Sequence, residues 1–592
     1  MTINPKTYVP LLFLITITLS CFVIPNPFFI NIIINLFYFA TLSLAWNILG
    51  GYSGQFSLGH AAFMGLGAYT STLLFLHFNL TPWLGMFIGA TFTSVIGALV
   101  FWPCFRLKGF YFCLATIAFA EVLRILATHW RSLTKGGVGL LLPVKPSLYN
   151  MLFTSKYPYL FISLFLLLLA IAITHLIEKS RLGYSLKALR NDEDGAEAAG
   201  VNVFQSKLVA AVISAFLTAL GGTFYVQYML YIEPEIVFSI HQSLQISLFA
   251  IIGGIGTIAG PIVGTFLLVP LDIALKGWLG SLYAGLGFIV YGALLIAVVM
   301  LIPEGIIKWL GPKLNHLYQK FPKFEIFRRK KEVISSKLED KPRKVKGEKL
   351  LLELKNVHKS FKGLIVLNDI SFKIFQGELV GLIGPNGAGK TTLFNVVTKF
   401  LPVDSGEIFF NGINISHGKK THEICSLGIS RTFQIVKPFS SLSVIENIQV
   451  GALTRIPKPK EAEELAREIV SLCGLEKYSD YAVGNLTLAF RKRLELARAL
   501  ATQPNLLLLD EVMAGLNPRE VEDMIHLVET ISKRGTTFLI VEHVMQVIMG
   551  LCQRVIVLNY GNLIASGTPE EIYHNPEVIE AYLGEVGDEG VC

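Results

Sequence analysis

The chain has 592 residues, of which 52% are hydrophobic and only 16% charged, and its formal net charge is +8. Ordinary soluble chains carry about 25% charged residues, so this composition excludes a single soluble globule and a disordered chain. It calls for a membrane-embedded part and leaves room for a second domain. The seven cysteines, Cys21, Cys104, Cys113, Cys425, Cys473, Cys552 and Cys592, form no CxxC pair or Cys/His cluster, which argues against structural zinc and a disulfide framework.

Taken in chain order, the first element is the apolar stretch Tyr8 to Ile24 after Lys6. It lacks a small-residue cleavage site and reads as a membrane helix, not a removed signal peptide. Further apolar runs follow at 27–49, 58–79, 84–104, 110–128, 157–177, 208–230, 239–254, 261–277 and 283–302. About 20 apolar residues cross a bilayer, and broken or tilted helices need fewer. Residues 1–310 are therefore expected to form a polytopic α-helical membrane domain of about 8–10 helices. Lys179, Arg181, Lys187, Arg190 and Lys207 crowd the loop 178–207, which the positive-inside rule assigns to the cytoplasm.

Two glycine-rich interruptions stand out among these runs, near Gly50–Gly59 and near Gly253–Gly264. Non-helical backbone at membrane depth is tolerated only against protein or a water-filled cavity. Gln55, Ser57, His60, Gly254 and Gly256 are thus candidates to line a translocation path, with close helix packing as the other reading. Glu121 and Arg124, three apart near the end of one run, are placed to pair on a helical face. In the basic loop, Asn191 or Asp192 can cap a short helix that Gly200 ends. That helix, carrying Glu193, Ala196, Glu197 and Ala198, has an alanine face suited to a groove on a soluble domain, and an ordinary solvated loop helix is the alternative.

Residues 311–349 form a basic linker. From Lys313 to Leu350 there are 13 Lys/Arg against 5 Asp/Glu, including Arg328-Arg329-Lys330-Lys331, so this stretch carries the whole charge excess. It follows directly on apolar segments, which favours a juxtamembrane segment facing anionic lipid over a nucleic-acid arm. Residues 350–592 change texture: β-branched runs alternate with charged helical stretches, as in a soluble α/β domain. Strands are expected at Leu351–Val357, Gly377–Ile383, Asn505–Asp510, Thr536–Val541 and Arg554–Leu558, and helices at Lys460–Cys473 and Phe490–Thr502.

The strongest signal is Gly384-Pro385-Asn386-Gly387-Ala388-Gly389-Lys390-Thr391-Thr392, a GxxxxGK[ST] phosphate loop between a strand and a helix. Its glycines let backbone N–H groups turn toward phosphates, Lys390 reaches the β- and γ-phosphates, and the Thr391 hydroxyl suits Mg²⁺. A buried apolar run, Leu506 to Leu509, then delivers Asp510 and Glu511. Asp510 suits Mg²⁺ binding and Glu511 suits polarisation of an attacking water. His543, at the end of Ile540-Val541-Glu542-His543, is either a γ-phosphate sensor or a hydrogen-bonded structural histidine.

This ordered set resembles the nucleotide-binding domain of ABC transporters across 350–592. The resemblance implies a P-loop ATPase using ATP and Mg²⁺. Phe361 matches the aromatic that stacks on adenine, although a core phenylalanine fits as well. Gln434, in Arg431-Thr432-Phe433-Gln434, matches the glutamine linking metal and water to the membrane domain, and Ala514-Gly515-Leu516-Asn517 matches the D-loop. The family signature, usually close to LSGGQ, is replaced here by Leu486-Thr487-Leu488-Ala489-Phe490. Ala489 stands where glycine lets backbone approach the γ-phosphate, so its methyl is expected to crowd that approach. In the family, two such domains sandwich two ATPs, and each site pairs one chain's phosphate loop with the other's signature. The degenerate signature therefore favours a heteromer with a second permease and a second ATPase over a homodimer.

In the membrane half, three segments resemble the permease subunit of branched-chain amino acid ABC importers. They are Asn47 to His60, Ser180 to Gly200, and Gly253-Gly254-Ile255-Gly256-Thr257 with Gly260-Pro261 and Gly264. The ATPase half resembles the ATP-binding subunit of the same importers, down to the tail Asn575 to Gly584. The implied function is ATP-driven import of a branched-chain amino acid across the cytoplasmic membrane, with the ATPase domain in the cytoplasm. The segment around Glu197 would carry the ATP-driven movement. A separate extracytoplasmic solute-binding protein is implied, with membrane lipid and no nucleic acid as partner. The alternatives keep the architecture but carry urea, a short amide or another amino acid, or make the chain a homodimeric exporter or a membrane-anchored regulatory ATPase.

Overall fold

The computed structural model describes residues 2–3, 5–279, 292–293, 296–297, 300–302, 305–311, 324–325 and 349–583. The expected run 283–302 and the basic linker lie almost wholly outside the described residues, as do Gly584 and Cys592. The chain forms two compact units. One comprises Met1–Lys179 with Phe204–Val333, and the other comprises Ser180–Val203 with Ile334–Cys592. The basic loop between the apolar runs thus belongs to the same unit as the soluble domain.

The first unit is helical. Among the described residues, seven helices are long and apolar enough to cross a membrane: Pro27–Tyr52, His60–Phe78, Pro82–Cys104, Phe110–His129, Tyr157–Glu178, Val203–Met229 and Pro234–Gly254. Two shorter apolar helices, Leu14–Val23 and Ala259–Leu275, accompany them. Proline opens several of these helices, as at Pro27, where its fixed φ suits the first turn and Asn26 Oδ1 accepts a hydrogen bond from Phe28 N at 2.9 Å. Small residues set the packing. Gly67 lies against Ala219 and Gly97 against Ala215, which lets backbones approach where no hydrophobic effect drives helices together.

The second unit is α/β. A six-stranded sheet runs in the spatial order Ile429–Arg431, Leu506–Asp510, Thr537–Val541, Leu379–Ile383, Arg554–Asn559 and Asn562–Gly567, parallel except at the last pair. Every residue of Leu379–Ile383, Leu506–Asp510 and Thr537–Val541 is buried, as expected of parallel strands covered on both faces. Leu507 and Leu509 enter one core with the helices Pro459–Leu472 and Leu488–Ala501, whereas Leu506 and Leu508 enter a second with Phe394 and Val396. An antiparallel sheet of Leu364–Phe375, Leu350–Phe361, Ser405–Phe410 and Ile413–Asn414 completes the unit. The five strands and two helices expected in residues 350–592 are present, and the first strand continues to Phe361.

Candidate functional site

The strand Leu379–Ile383 ends at Gly384, and the phosphate loop runs directly into the helix Lys390–Val397. Gly387 and Gly389 take φ of +83° and +102°, and a Cβ on Gly389 would lie 2.7 Å from the Val366 carbonyl oxygen. Only glycine fits such a position. The Lys390 ammonium donates to the Gly384 and Pro385 carbonyls at 2.6 and 3.0 Å. Burial pushes its pKa below the ordinary lysine value, opposed by Glu511 and Asp510. Thr391 is exposed and Thr392 half-buried on the first turn of the helix. Phe361 is 41% exposed with the Lys359 ammonium 5.5 Å from its ring centroid, so it is a surface aromatic and not a core phenylalanine.

Asp510 is 1% exposed. Its Oδ2 accepts from Arg431 Nη2 at 3.1 Å, while Oδ1 is buried without a hydrogen-bond partner. Burial raises the Asp510 pKa and Arg431 opposes that rise. A buried carboxylate oxygen without a donor suits a hard divalent cation. Among the described residues no group of three His, Cys, Asp or Glu side chains gathers to hold a metal. Asp510 therefore fits an ion that takes most of its ligands from phosphates and water, as Mg²⁺ does.

Glu511 follows with φ +49°, an unusual conformation for a side chain other than glycine. Its carboxylate accepts from Gln434 Nε2 at 2.9 Å on one oxygen and meets His543 Nε2 at 2.8 Å on the other. The fold thus brings together three residues that follow the strands Ile429–Arg431, Leu506–Asp510 and Thr537–Val541. Three supporting side chains have no motif of their own and were missed from sequence. Lys492 donates to the carbonyls of Glu511 and Ala514, at 3.0 and 2.5 Å. Buried Glu542 accepts from Met513 N at 2.7 Å, and buried Arg431 holds Asp510.

The signature segment Leu486 to Phe490 opens the helix Leu488–Ala501, with Thr487 at its N-cap. Thr487 and Leu488 are exposed, but Ala489 is only 8% exposed, so its methyl adds little to the surface presented there. Phe490 turns inward onto Tyr478, with ring centroids 4.5 Å apart. In the D-loop, Asn517 caps the helix Pro518–Lys533 in a capping box with Glu520.

The segment Asp192–Gly200 is a built element of the same unit. Asp192, not Asn191, is the N-cap of the helix Glu193–Ala198, accepting from Gly195 N at 2.6 Å. Asn191 instead bonds Ser440 and Ser441. Ala196 and Ala198 are buried, Glu197 faces His422 at 3.7 Å, and Thr454 Oγ1 donates to the Ala199 carbonyl at 2.6 Å. Gly200 takes φ +85°, and a Cβ there would meet Thr454. The alanine face is therefore covered by the ATPase fold rather than solvated.

In the helical unit the two glycine-rich interruptions meet. A π-helical turn, Ile48–Tyr52, follows Asn47. Asn47 Nδ2 donates to the Thr257 carbonyl at 2.9 Å and its Oδ1 accepts from Gly256 N at 2.8 Å. Gly254 and Gly256 have positive φ. Trp46 Nε1 donates to the Ser57 carbonyl at 2.7 Å, and His60 Nε2 lies 2.8 Å from Ser214 Oγ. Gln55 is buried beside them. Glu121 and Arg124 pair at 2.9 Å, and Arg124 also binds Glu235.

Comparison with known proteins matches three family models. Residues 28–301 match the permease component of the branched-chain amino acid transport system, and residues 367–514 match the ABC transporter domain. Residues 562–588 match the branched-chain amino acid ATP-binding cassette transporter. The high-affinity branched-chain amino acid transport ATP-binding protein LivG of Escherichia coli (strain K12) is 38% identical over 251 residues, 40% of this chain and 98% of the relative. The corresponding protein BraF of Pseudomonas aeruginosa is 37% identical over the same shares. A crystal structure of a nucleotide-free ATP-binding cassette from an ABC transporter is 30% identical, covering 40% of this chain and 100% of that chain with a TM-score of 0.37. The chain is a membrane protein with an ATP-binding ATPase domain, and it belongs to the branched-chain amino acid ABC transporter family, with permease and ATPase fused in one polypeptide.

Proposed function

We propose that this chain imports branched-chain amino acids across the cytoplasmic membrane, using ATP bound at Gly384–Thr392 and Phe361. The observation that carries the mechanism is the convergence of Gln434 and His543 on Glu511, one hydrogen-bonding group on each oxygen of a single carboxylate. Glu511 orients and polarises the attacking water, and Gln434 and His543 fix its carboxylate. Thr391, Gln434 and Asp510 would hold Mg²⁺, which offsets the charge of the phosphate oxygens when bound. Lys390 exchanges its contacts with the Gly384 and Pro385 carbonyls for phosphate oxygens. The segment Glu193–Gly200 receives the resulting movement, and Gln55, Ser57, His60, Gly254 and Gly256 lie at the break in the helices that such movement would open.

One chain supplies one permease and one ATPase, so the working transporter pairs it with a second permease and ATPase and takes solute from an extracytoplasmic binding protein. The departure of Leu486 to Phe490 from the family signature supports a partner whose own signature is intact. The cargo is tested by uptake of labelled leucine by the intact transporter in competition with isoleucine, valine and urea. Competition by isoleucine and valine alone supports the reading. Competition by urea or short amides moves the cargo to that class.

A further inference from the structure

Lys437 lies three residues beyond Gln434, and its backbone and side chain are held by different elements. Its N–H donates to Glu495 Oε1 at 3.3 Å, and its carbonyl accepts from Arg498 Nη1 at 2.7 Å. Both partners are buried on the helix Leu488–Ala501 that begins at the signature, and they pair with each other at 3.3 Å. The Lys437 ammonium reaches the other way, to Asp194 at 2.9 Å and to the N-cap carboxylate of Asp192 at 3.3 Å. It also lies 4.9 Å from the centroid of the Phe433 ring, on the residue before Gln434. A Cβ on Gly195 would sit 3.4 Å from Lys437 Cβ, so the short helix rests on the lysine stem itself.

We propose that Lys437 is a positioning residue that locks the segment Asp192–Ala198 to the helix Leu488–Ala501, so that a shift of the signature helix is passed to that segment through one side chain. The two-sided hold is what a relay needs. The Glu495–Arg498 pair clamps the backbone of residue 437 to the signature helix. The two carboxylates clamp its ammonium to the N-terminus of the short helix. Burial opposes the charge on Lys437, and Asp194 and Asp192 more than offset it, so the ammonium is held above its ordinary pKa and stays charged. Lys437, Asp192 and Asp194 are all half-buried, and one lysine side chain ties the two elements together.

The inference rests on the import reading above, and its test separates the two. Uptake and ATP hydrolysis are measured on the intact transporter carrying Lys437→Ala, Lys437→Glu, or Lys437→Glu with Asp194→Lys, beside Lys390→Ala. Lys437→Ala is expected to cut uptake about tenfold, within the usual range of coupling energies, while hydrolysis without solute stays within about twofold. The paired charge reversal is expected to recover uptake well above Lys437→Glu alone with hydrolysis unchanged throughout, whereas a lysine that merely stabilised the fold would lose hydrolysis together with uptake. Unchanged uptake in Lys437→Ala, or joint loss of uptake and hydrolysis without rescue by the reversal, overturns the inference while Lys390-dependent uptake stands. Uptake indifferent to Lys390→Ala overturns the import reading and this inference with it.

Discussion

At the scale of single residues, the decisive feature is how few groups surround each oxygen of the Glu511 carboxylate. Glu511 has one partner per carboxylate oxygen, Gln434 and His543, so the glutamate has one geometry to hold. Glu511→Gln is expected to keep ATP binding but slow hydrolysis by a factor of about 10² to 10⁴, the usual contribution of a positioned base; nucleotide binding and phosphate release on the purified transporter check this. Arg431 is the more fragile residue for the fold. Removing it by Arg431→Met leaves the Asp510 carboxyl, 1% exposed, without its partner. That variant is expected to lose about 3–5 kcal/mol of stability, because breaking a buried pair leaves its other member uncompensated; the thermal midpoint of the full chain reads the loss. The placement of Asp510 and Glu511 at the end of a buried strand was legible in the sequence, because the apolar run Leu506 to Leu509 leads directly into the two acids. Arg431, Lys492 and Glu542 were not, because a buried charge announces itself only through a partner placed by tertiary structure.

At the scale of elements, the two interruptions of the membrane helices show the same limit. Their glycines stand out in the sequence, but the bridge from Asn47 to Gly256 and Thr257 spans more than two hundred residues and leaves no local trace. Asn47→Ala removes an acceptor and a donor from half-buried backbone partners and is expected to cost about 1 kcal/mol for each group left unsatisfied, the low end of the range for buried groups; melting of the full chain in detergent checks it. The short helix at Asp192 was readable from its cap and its closing glycine, since capping chemistry is local. Its docking was expected from the alanine face, and the buried Ala196 and Ala198 match that pattern. The signature helix carries a pH-dependent group. Burial pushes Glu495 up to about 7, above its unfolded value, with Arg498 opposing the rise. The folded state therefore binds this proton more tightly. The contribution of Glu495 to stability is full below the unfolded carboxylate pKa and declines as pH rises through about 7. Glu495→Gln is expected to flatten that decline, seen as a smaller difference in melting temperature between pH 5 and pH 8.

For the whole molecule, the chain assembles in one polypeptide what its relatives' ATP-binding subunits carry separately, since those relatives cover only about 40% of it. The segment Ser180–Val203 leaves one apolar helix, packs within the ATPase unit, and returns to the next apolar helix. Fusion therefore puts the ATPase and the segment that packs with it in one polypeptide. The central claim is that hydrolysis at this chain's own phosphate loop drives solute entry. The measurement that tests it most directly is initial-rate uptake of labelled leucine by cells carrying the intact transporter, compared with the same cells carrying Glu511→Gln or Lys390→Ala at equal membrane abundance. The account predicts that both variants lose uptake, with Glu511→Gln still binding ATP. Normal uptake by either variant would contradict it.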